Sequence, residues 1–274
     1  MDKFGTYELS DLRARLLRNA QLQPKNWCGR RLALLFRKVF LKTYHGHIID
    51  AELDGLKMRF HLNDNVSERK YLFTPQFFDV DERDLIAKNL PEHGVFIDIG
   101  ANAGIYTLTA AKYLGALGRV ISIEPNPVVR KRLEDNWSFN DFKCQHDILP
   151  IGVSDQGGSF DLYLDTTNLG GSSLVEGRKN QEKKIEIKCY PILDVLKDQK
   201  IDKIDILKID IEGAEERALR PFFETADSAV FPDHIIIEND KAQWESGLID
   251  WLTSEMCQYN LIKETRMNII LSKR

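Results

Sequence analysis

The stretch FIDIGANAGIYTLTAAKYLGALGRVISIEP, residues 96–125, reads as strand, glycine turn, helix, strand, with an acid near the end of each strand. An apolar strand feeding a glycine turn that opens a helix is the start of a nucleotide-binding unit. A pyrophosphate-binding turn wants G-x-G-x-x-G, because its middle glycine lets the backbone approach the phosphates. Here the turn runs Gly100-Ala101-Asn102-Ala103-Gly104. Asn102 tolerates a left-handed φ but brings bulk and a hydrogen-bonding amide. Asp98, just before the turn, would repel a diphosphate and suits a ligand carrying an ammonium and a sulfonium. Glu124 closes the second strand, where an acid can accept from both ribose hydroxyls. The combination favours S-adenosylmethionine over NAD.

Outward from this unit, strands and helices keep alternating. Residues 147–155, 204–213 and 234–240 read as further strands, and 127–140, 191–200, 214–223 and 241–259 as helices. Residues 160–165 and 184–190 read as a strand pair inserted around the loop TTNLGGSSLVEG, the insertion as a whole covering 157–190. The chain finishes with two strand-like runs close enough for an antiparallel hairpin. Such alternation predicts an α/β fold, a mostly parallel sheet covered on both faces. Ligands of these sheets bind outside the carboxyl ends of the strands. Those ends read Asp98, Glu124, Asp155, Asp210 and Glu238. Asp155 has two readings, an adenine contact or part of the turn SDQGG.

Upstream, DAELDGLKMRF centres on Asp54-Gly55, a type I′ hairpin signal within residues 47–62. Residues 63–80 look irregular and 81–90 form a short helix. Residues 9–20 place Leu9, Leu12 and Leu16 on one helical face, and a second helix over 29–42 pairs apolar residues with Arg30, Arg31, Arg37, Lys38 and Lys42. The expected organisation is a basic helical extension, 1–46, followed by one catalytic domain, 47–274.

Charge is divided accordingly. Residues 1–47 hold ten Lys/Arg against three Asp/Glu, and the remainder 28 against 39. The acidic main body argues against a nucleic-acid partner. The basic helices are either packing elements with a solvated face or a peripheral contact for anionic lipid or acidic glycan. Four scattered cysteines outline neither a zinc site nor a disulfide framework. With no secretory leader legible at the N-terminus, the expected setting is cytoplasmic, with peripheral attachment to a membrane's inner face as the variant.

FIDIGANAGIY (96–106), ISIEPNP (121–127), GVSDQGG (152–158), GGSSL (170–174) and DILKIDIEGAE (205–215) together resemble the successive signatures of the FkbM-type methyltransferases. The resemblance covers about residues 47–240. It implies a class I S-adenosylmethionine-dependent methyltransferase, Rossmann-like, with seven strands of which the last is antiparallel. Family members typically methylate hydroxyl oxygens of sugars or secondary metabolites. The cofactor residues it implies are Asp98, Gly100, Asn102, Gly104, Glu124, Asn126 and Asp155.

A hydroxyl is a poor nucleophile until a base takes its proton. Asp210 is the expected base, with Glu212 and Glu238 beside it, and Lys208 a structural partner one step deeper on the same strand face. Two adjacent strand ends, Asp210 with Glu238-Asn239, raise a second possibility, a divalent metal that chelates a vicinal diol. A nicotinamide-dependent oxidoreductase and a non-catalytic nucleotide-binding module stand as alternatives of other classes.

Overall fold

The computed structural model describes residues 2–175, 181–244 and 247–274. Two helices open the chain, α1 (Asp11–Gln21) and α2 (Trp27–Thr43), followed by the hairpin β1 (Ile48–Leu53) and β2 (Leu56–His61). Asp54 and Gly55 both take positive φ, +54° and +78°, as a type I′ turn demands. Next come α3 (Val66–Phe73) and α4 (Val80–Asn89). The central unit is β3 (Val95–Ile99), α5 (Ile105–Ala111), β4 (Arg119–Ile123), α6 (Pro127–Ser138) and β5 (Gln145–Leu149). After it lie β6 (Gly152–Val153), β7 (Gly158–Asp165), β8 (Gln181–Tyr190) and α7 (Ile192–Asp198). The chain closes with β9 (Ile206–Ile209), α8 (Glu215–Thr225), β10 (His234–Glu238), α9 (Leu248–Leu252), β11 (Tyr259–Glu264) and β12 (Asn268–Lys273).

The main sheet has seven strands in the order β11-β12-β10-β9-β3-β4-β5. Strands β5, β4, β3, β9 and β10 are parallel, and β12 runs antiparallel to both β10 and β11. The antiparallel strand is thus last in sequence but lies between β10 and β11. The order reverses between β3 and β9, so the crevice at their carboxyl ends is the expected ligand position.

Alternation along the strands sorts the side chains. Ile97, Ile99, Ile121, Leu207 and Ile235 pack under α7, α8 and α9, whereas Phe96, Val120, Ile206 and Ile236 pack under α4 and α5. Burial on both faces is why these strands read as continuous apolar runs. The same parity puts Asp98, Ser122 and Lys208 on the α5 face, side by side in register.

Several expectations need correction. In α1 the buried residues are Leu17 and Ala20 while Leu12 is 71% exposed, so the buried face is rotated away from Leu12. Residues 63–80 are not irregular. They contain α3, whose Asn65 side chain accepts from the Glu68 amide at 3.1 Å, and a 3₁₀ turn over Pro75–Phe77. The expected strand 147–155 is two elements. β5 stops at Leu149, and β6 joins a separate three-stranded sheet, β6-β8-β7. The helix expected over 241–259 is a 3₁₀ turn, Lys241–Gln243, and the short α9, separated at Gly247 with φ +65°; residues 245–246 of that expectation lie outside the described residues.

Candidate active site

The turn between β3 and α5 lies tight against the end of β9. Gly100 has φ +77°, and a Cβ there would stand 1.8 Å from the Asp210 carbonyl oxygen. The amide of Asp210 donates to the Ile99 carbonyl at 3.0 Å, which closes the gap between the strand ends. Asn102 takes φ +52°, the left-handed conformation its residue type tolerates. Its Oδ1 accepts from Asn65 Nδ2 at 2.7 Å, tying the turn to α3. Gly104 begins α5 with φ +92°, its missing side chain leaving room for Leu133.

Glu124 is buried, with one oxygen accepting from the Asn102 amide and the other from the Asn126 amide, both at 2.8 Å. Burial pushes its carboxyl up to about 7, which the two amides only partly oppose. Asn126 caps α6 through the Val128 amide at 3.0 Å. Its Nδ2 reaches Ser172 Oγ at 3.3 Å and the Leu169 carbonyl at 3.4 Å.

The crevice has two chambers that share Gly100 and Asp210. The first is walled by Glu124 and the apolar Val153, Leu162 and Ile211, and residues 169–174 cover it. That cover is tethered: the Leu169 amide donates to the Asp64 carbonyl at 2.7 Å, and Ser173 Oγ to the Glu212 carbonyl at 2.8 Å. The second chamber is lined by Asn65, Ser67, Asn102, Tyr106 and Lys208.

Three acids converge beside the shared boundary. Asp210, Glu212 and Glu238 each offer an oxygen within 4.8 Å of the others. Glu212 arrives there because φ +56° turns the chain back at the end of β9. Glu215 holds that turn, accepting from the amides of Ile211 at 2.9 Å and Gly213 at 3.2 Å, while Trp244 Nε1 donates to its other oxygen at 3.2 Å. Burial, followed by the neighbouring Asp210, drives the Glu238 carboxyl far above the usual carboxylate range. Lys208, itself buried, donates to Asp210 Oδ2 at 3.1 Å and stands 3.8 Å from Asp98 Oδ1.

The expected site residues divide under this geometry. Gly100, Asn102, Glu124 and Asp210 line the chambers. Asp98 does not: it is fully buried beneath the turn, where Thr107 Oγ1 donates to it at 2.7 Å, so its influence on a ligand passes through Lys208. Asp155 is displaced with β6 and pairs with Arg217 Nε at 2.6 Å instead of facing the first chamber. Of the residues read as a possible metal set, Asp210 and Glu238 lie together, Asn239 Nδ2 donates to the Thr265 carbonyl at 2.7 Å, and Glu212 brings a further carboxylate oxygen within 4.8 Å of the two acids. Asn65 escaped the sequence reading, and Glu215 was legible only as an acid opening the helix after the turn, not as its clamp. The spacing Asn65-x-x-Glu68, a capping pattern, was the available signal for the first; Glu215 as a clamp has no local one.

A seven-stranded sheet with β12 inserted antiparallel, and a crevice at the β3–β9 reversal walled by a ribose-type acid, defines a class I methyltransferase fold. Within that class the chain belongs to the FkbM methyltransferases: the profile of the Methyltransferase FkbM domain matches residues 98–267. It is therefore an S-adenosylmethionine-dependent methyltransferase by family, and the nicotinamide alternative falls away. Methyltransferase sdnD of Sordaria araneosa is 28% identical over 180 residues, 55% of this chain and 66% of that protein. The AMB antimetabolite synthetase AmbE of Pseudomonas aeruginosa is 36% identical over 92 residues, 33% of this chain and 4% of its own length. Among solved structures, Pyrococcus abyssi Trm5b aligns at 14% identity and TM-score 0.45, over 84% of this chain and 56% of that one. The tRNA (uracil-54, C5)-methyltransferase of Pyrococcus abyssi, in complex with S-adenosyl-L-homocysteine, aligns at 12% identity and TM-score 0.44, over 84% and 44%.

Proposed function

We propose that this enzyme transfers a methyl group to a hydroxyl oxygen of a sugar, glycan, glycolipid or related metabolite. The observation that carries the proposal is the convergence of Asp210, Glu212 and Glu238 at the boundary of the two chambers. The cofactor is assigned to the first chamber: Gly100 lets the turn close against the Asp210 carbonyl to form its floor, Glu124 faces the ribose position, and Val153, Leu162 and Ile211 offer an apolar bed for a flat ring. Bound there, S-adenosylmethionine supplies an electrophilic methyl group.

The chain's own part is to position the acceptor and take its proton. Glu238, its carboxyl pushed up by burial and by Asp210, holds a proton at neutral pH and can donate a hydrogen bond to an acceptor oxygen. Asp210 is the base, held against the chambers by Lys208. Glu212 completes the cluster.

A second reading rests on the same three oxygens, whose number and type suit a hard divalent cation that would lower the acceptor's pKa. Labelled cofactor incubated with extracted polysaccharides, lipids and small metabolites tests the main proposal. Label recovered on nitrogen or carbon would refute it. Turnover that survives thorough chelation removes the metal reading, and Asp210→Asn with undiminished turnover removes the base.

A further inference from the structure

Seven of the fourteen exposed large apolar side chains among the described residues fall between residues 12 and 39. Such clustering on one short segment is not the scatter expected of an ordinary surface. α2 explains it, because this helix is apolar on two sides. Ala33 and Phe40 face inward, where Phe40 meets Phe73 of α3 edge to face with ring centroids 5.0 Å apart. Leu32, Leu35 and Val39, spaced as one helical line, face water, with Trp27 at the helix start and Leu12 and Leu22 from the preceding segment also exposed.

Cations flank this line. Arg31, Lys38 and Lys42 are exposed along one side of it, and Arg31 lies over the Trp27 ring at 4.1 Å. α2 carries five Lys/Arg and no acid. An apolar stripe bordered by cations is the pattern of a helix lying in the plane of a lipid interface. At about 1.5 Å per residue, the 17 residues of α2 make a rod roughly 25 Å long. Among the described residues no helix is long and apolar enough to cross a membrane.

We propose that the outward face of α2 docks this methyltransferase on the surface of an anionic lipid bilayer. Charge separates this occupant from the others. A two-fold contact between copies would press two acid-free cationic helices together, a repulsive arrangement. A soluble polyanion would satisfy the cations but leave Leu32, Leu35 and Val39 in water. A bilayer with anionic headgroups covers both.

The full chain, labelled at exposed Cys28 with an environment-sensitive fluorophore, is titrated with phosphatidylcholine vesicles with and without phosphatidylserine; the other three cysteines are buried. The expected result is binding to the phosphatidylserine vesicles that weakens with added salt. Leu35→Asp should weaken it by about tenfold or more, and Lys38→Glu with Lys42→Glu by a similar factor. Neither variant should change the melting temperature, since these side chains already face water. Co-sedimentation of unlabelled protein with the same vesicles guards against a dye artefact. Equal binding to neutral vesicles, or no binding to either, overturns the proposal. So does a solution dimer that Leu35→Asp converts to monomer in a protein that ignores vesicles, which would make a second copy the occupant.

Discussion

Three glycines with the same backbone requirement but different surroundings separate conformational strain from steric conflict. Gly55, Gly104 and Gly100 have φ of +78°, +92° and +77°. A Cβ on Gly55 would meet nothing within 4 Å. Gly55→Ala therefore carries only the left-handed backbone penalty, about 1–2 kcal/mol. At Gly104 the Cβ would stand 2.3 Å from Leu133 Cδ1 and 2.8 Å from Leu108 Cδ1. Side-chain ends can move, so Gly104→Ala should add an overpacking cost of roughly 1–3 kcal/mol. At Gly100 the obstacle is backbone, the Asp210 carbonyl oxygen at 1.8 Å. Restoring a C···O contact of about 3.3 Å requires the ends of β3 and β9 to part by roughly 1.5 Å. That movement strains the Asp210–Ile99 hydrogen bond and displaces Asp210 from both chambers. A misplacement of about 1 Å costs on the order of a hundredfold in rate. Urea unfolding should thus rank Gly55→Ala, Gly104→Ala and Gly100→Ala in order of increasing damage. Calorimetric titration with S-adenosylmethionine should find affinity intact in Gly55→Ala and at least roughly tenfold weaker in Gly100→Ala. If Gly100→Ala binds cofactor as Gly55→Ala does, the two strand ends do not form the floor of the cofactor site.

Other expectations follow from the buried charges. Lys208→Met leaves Asp98 with only its Thr107 hydrogen bond and should cost about 3–5 kcal/mol in urea unfolding. Adding Asp98→Asn should return part of that loss, and a Lys208→Met protein as stable as wild type would show that the pair is not coupled. Glu68 is raised from 4.5 to about 7 by burial, which Arg132 and the His61 amide only partly offset, so the folded chain keeps this proton after the unfolded chain has lost it. Its contribution to stability consequently falls as pH rises from 4.5 to 7, the opposite sense to His61, which burial lowers to about 4. Glu68→Gln should make stability rise more steeply between pH 4.5 and 6.5 than in wild type; parallel profiles for the two proteins would contradict the assignment. For catalysis, kcat/KM should fall at alkaline pH as Glu238 sheds the proton that burial and Asp210 keep on it and that it donates to the acceptor oxygen. Glu238→Gln should flatten that limb, and an unchanged slope would place the titrating group elsewhere.

Local rules carried far into this protein. Apolar runs of four to six residues, alternating with helical patterns, determined a parallel sheet because only strands covered on both faces bury every side chain. Asp54-Gly55 determined the hairpin, and the left-handed Gly100, Asn102 and Gly104 the cofactor turn, since each φ is a property of one residue. Parity along β9 placed Lys208 on the side of Asp210 before any packing was known. What the sequence could not decide was which acids meet. Asp155 ends a run that looks like a sheet strand, yet the chain leaves the sheet after Leu149, and Asp155 pairs with Arg217. Glu238 and Asn239 are neighbours in the chain, but the β11–β12 hairpin captures the amide while Glu212 is turned inward. Glu215 holds that inward turn from the next helix. Such choices depend on strand order and on hydrogen bonds to distant backbone, so the residue types that could form the site were local information, and its membership was settled by tertiary contacts.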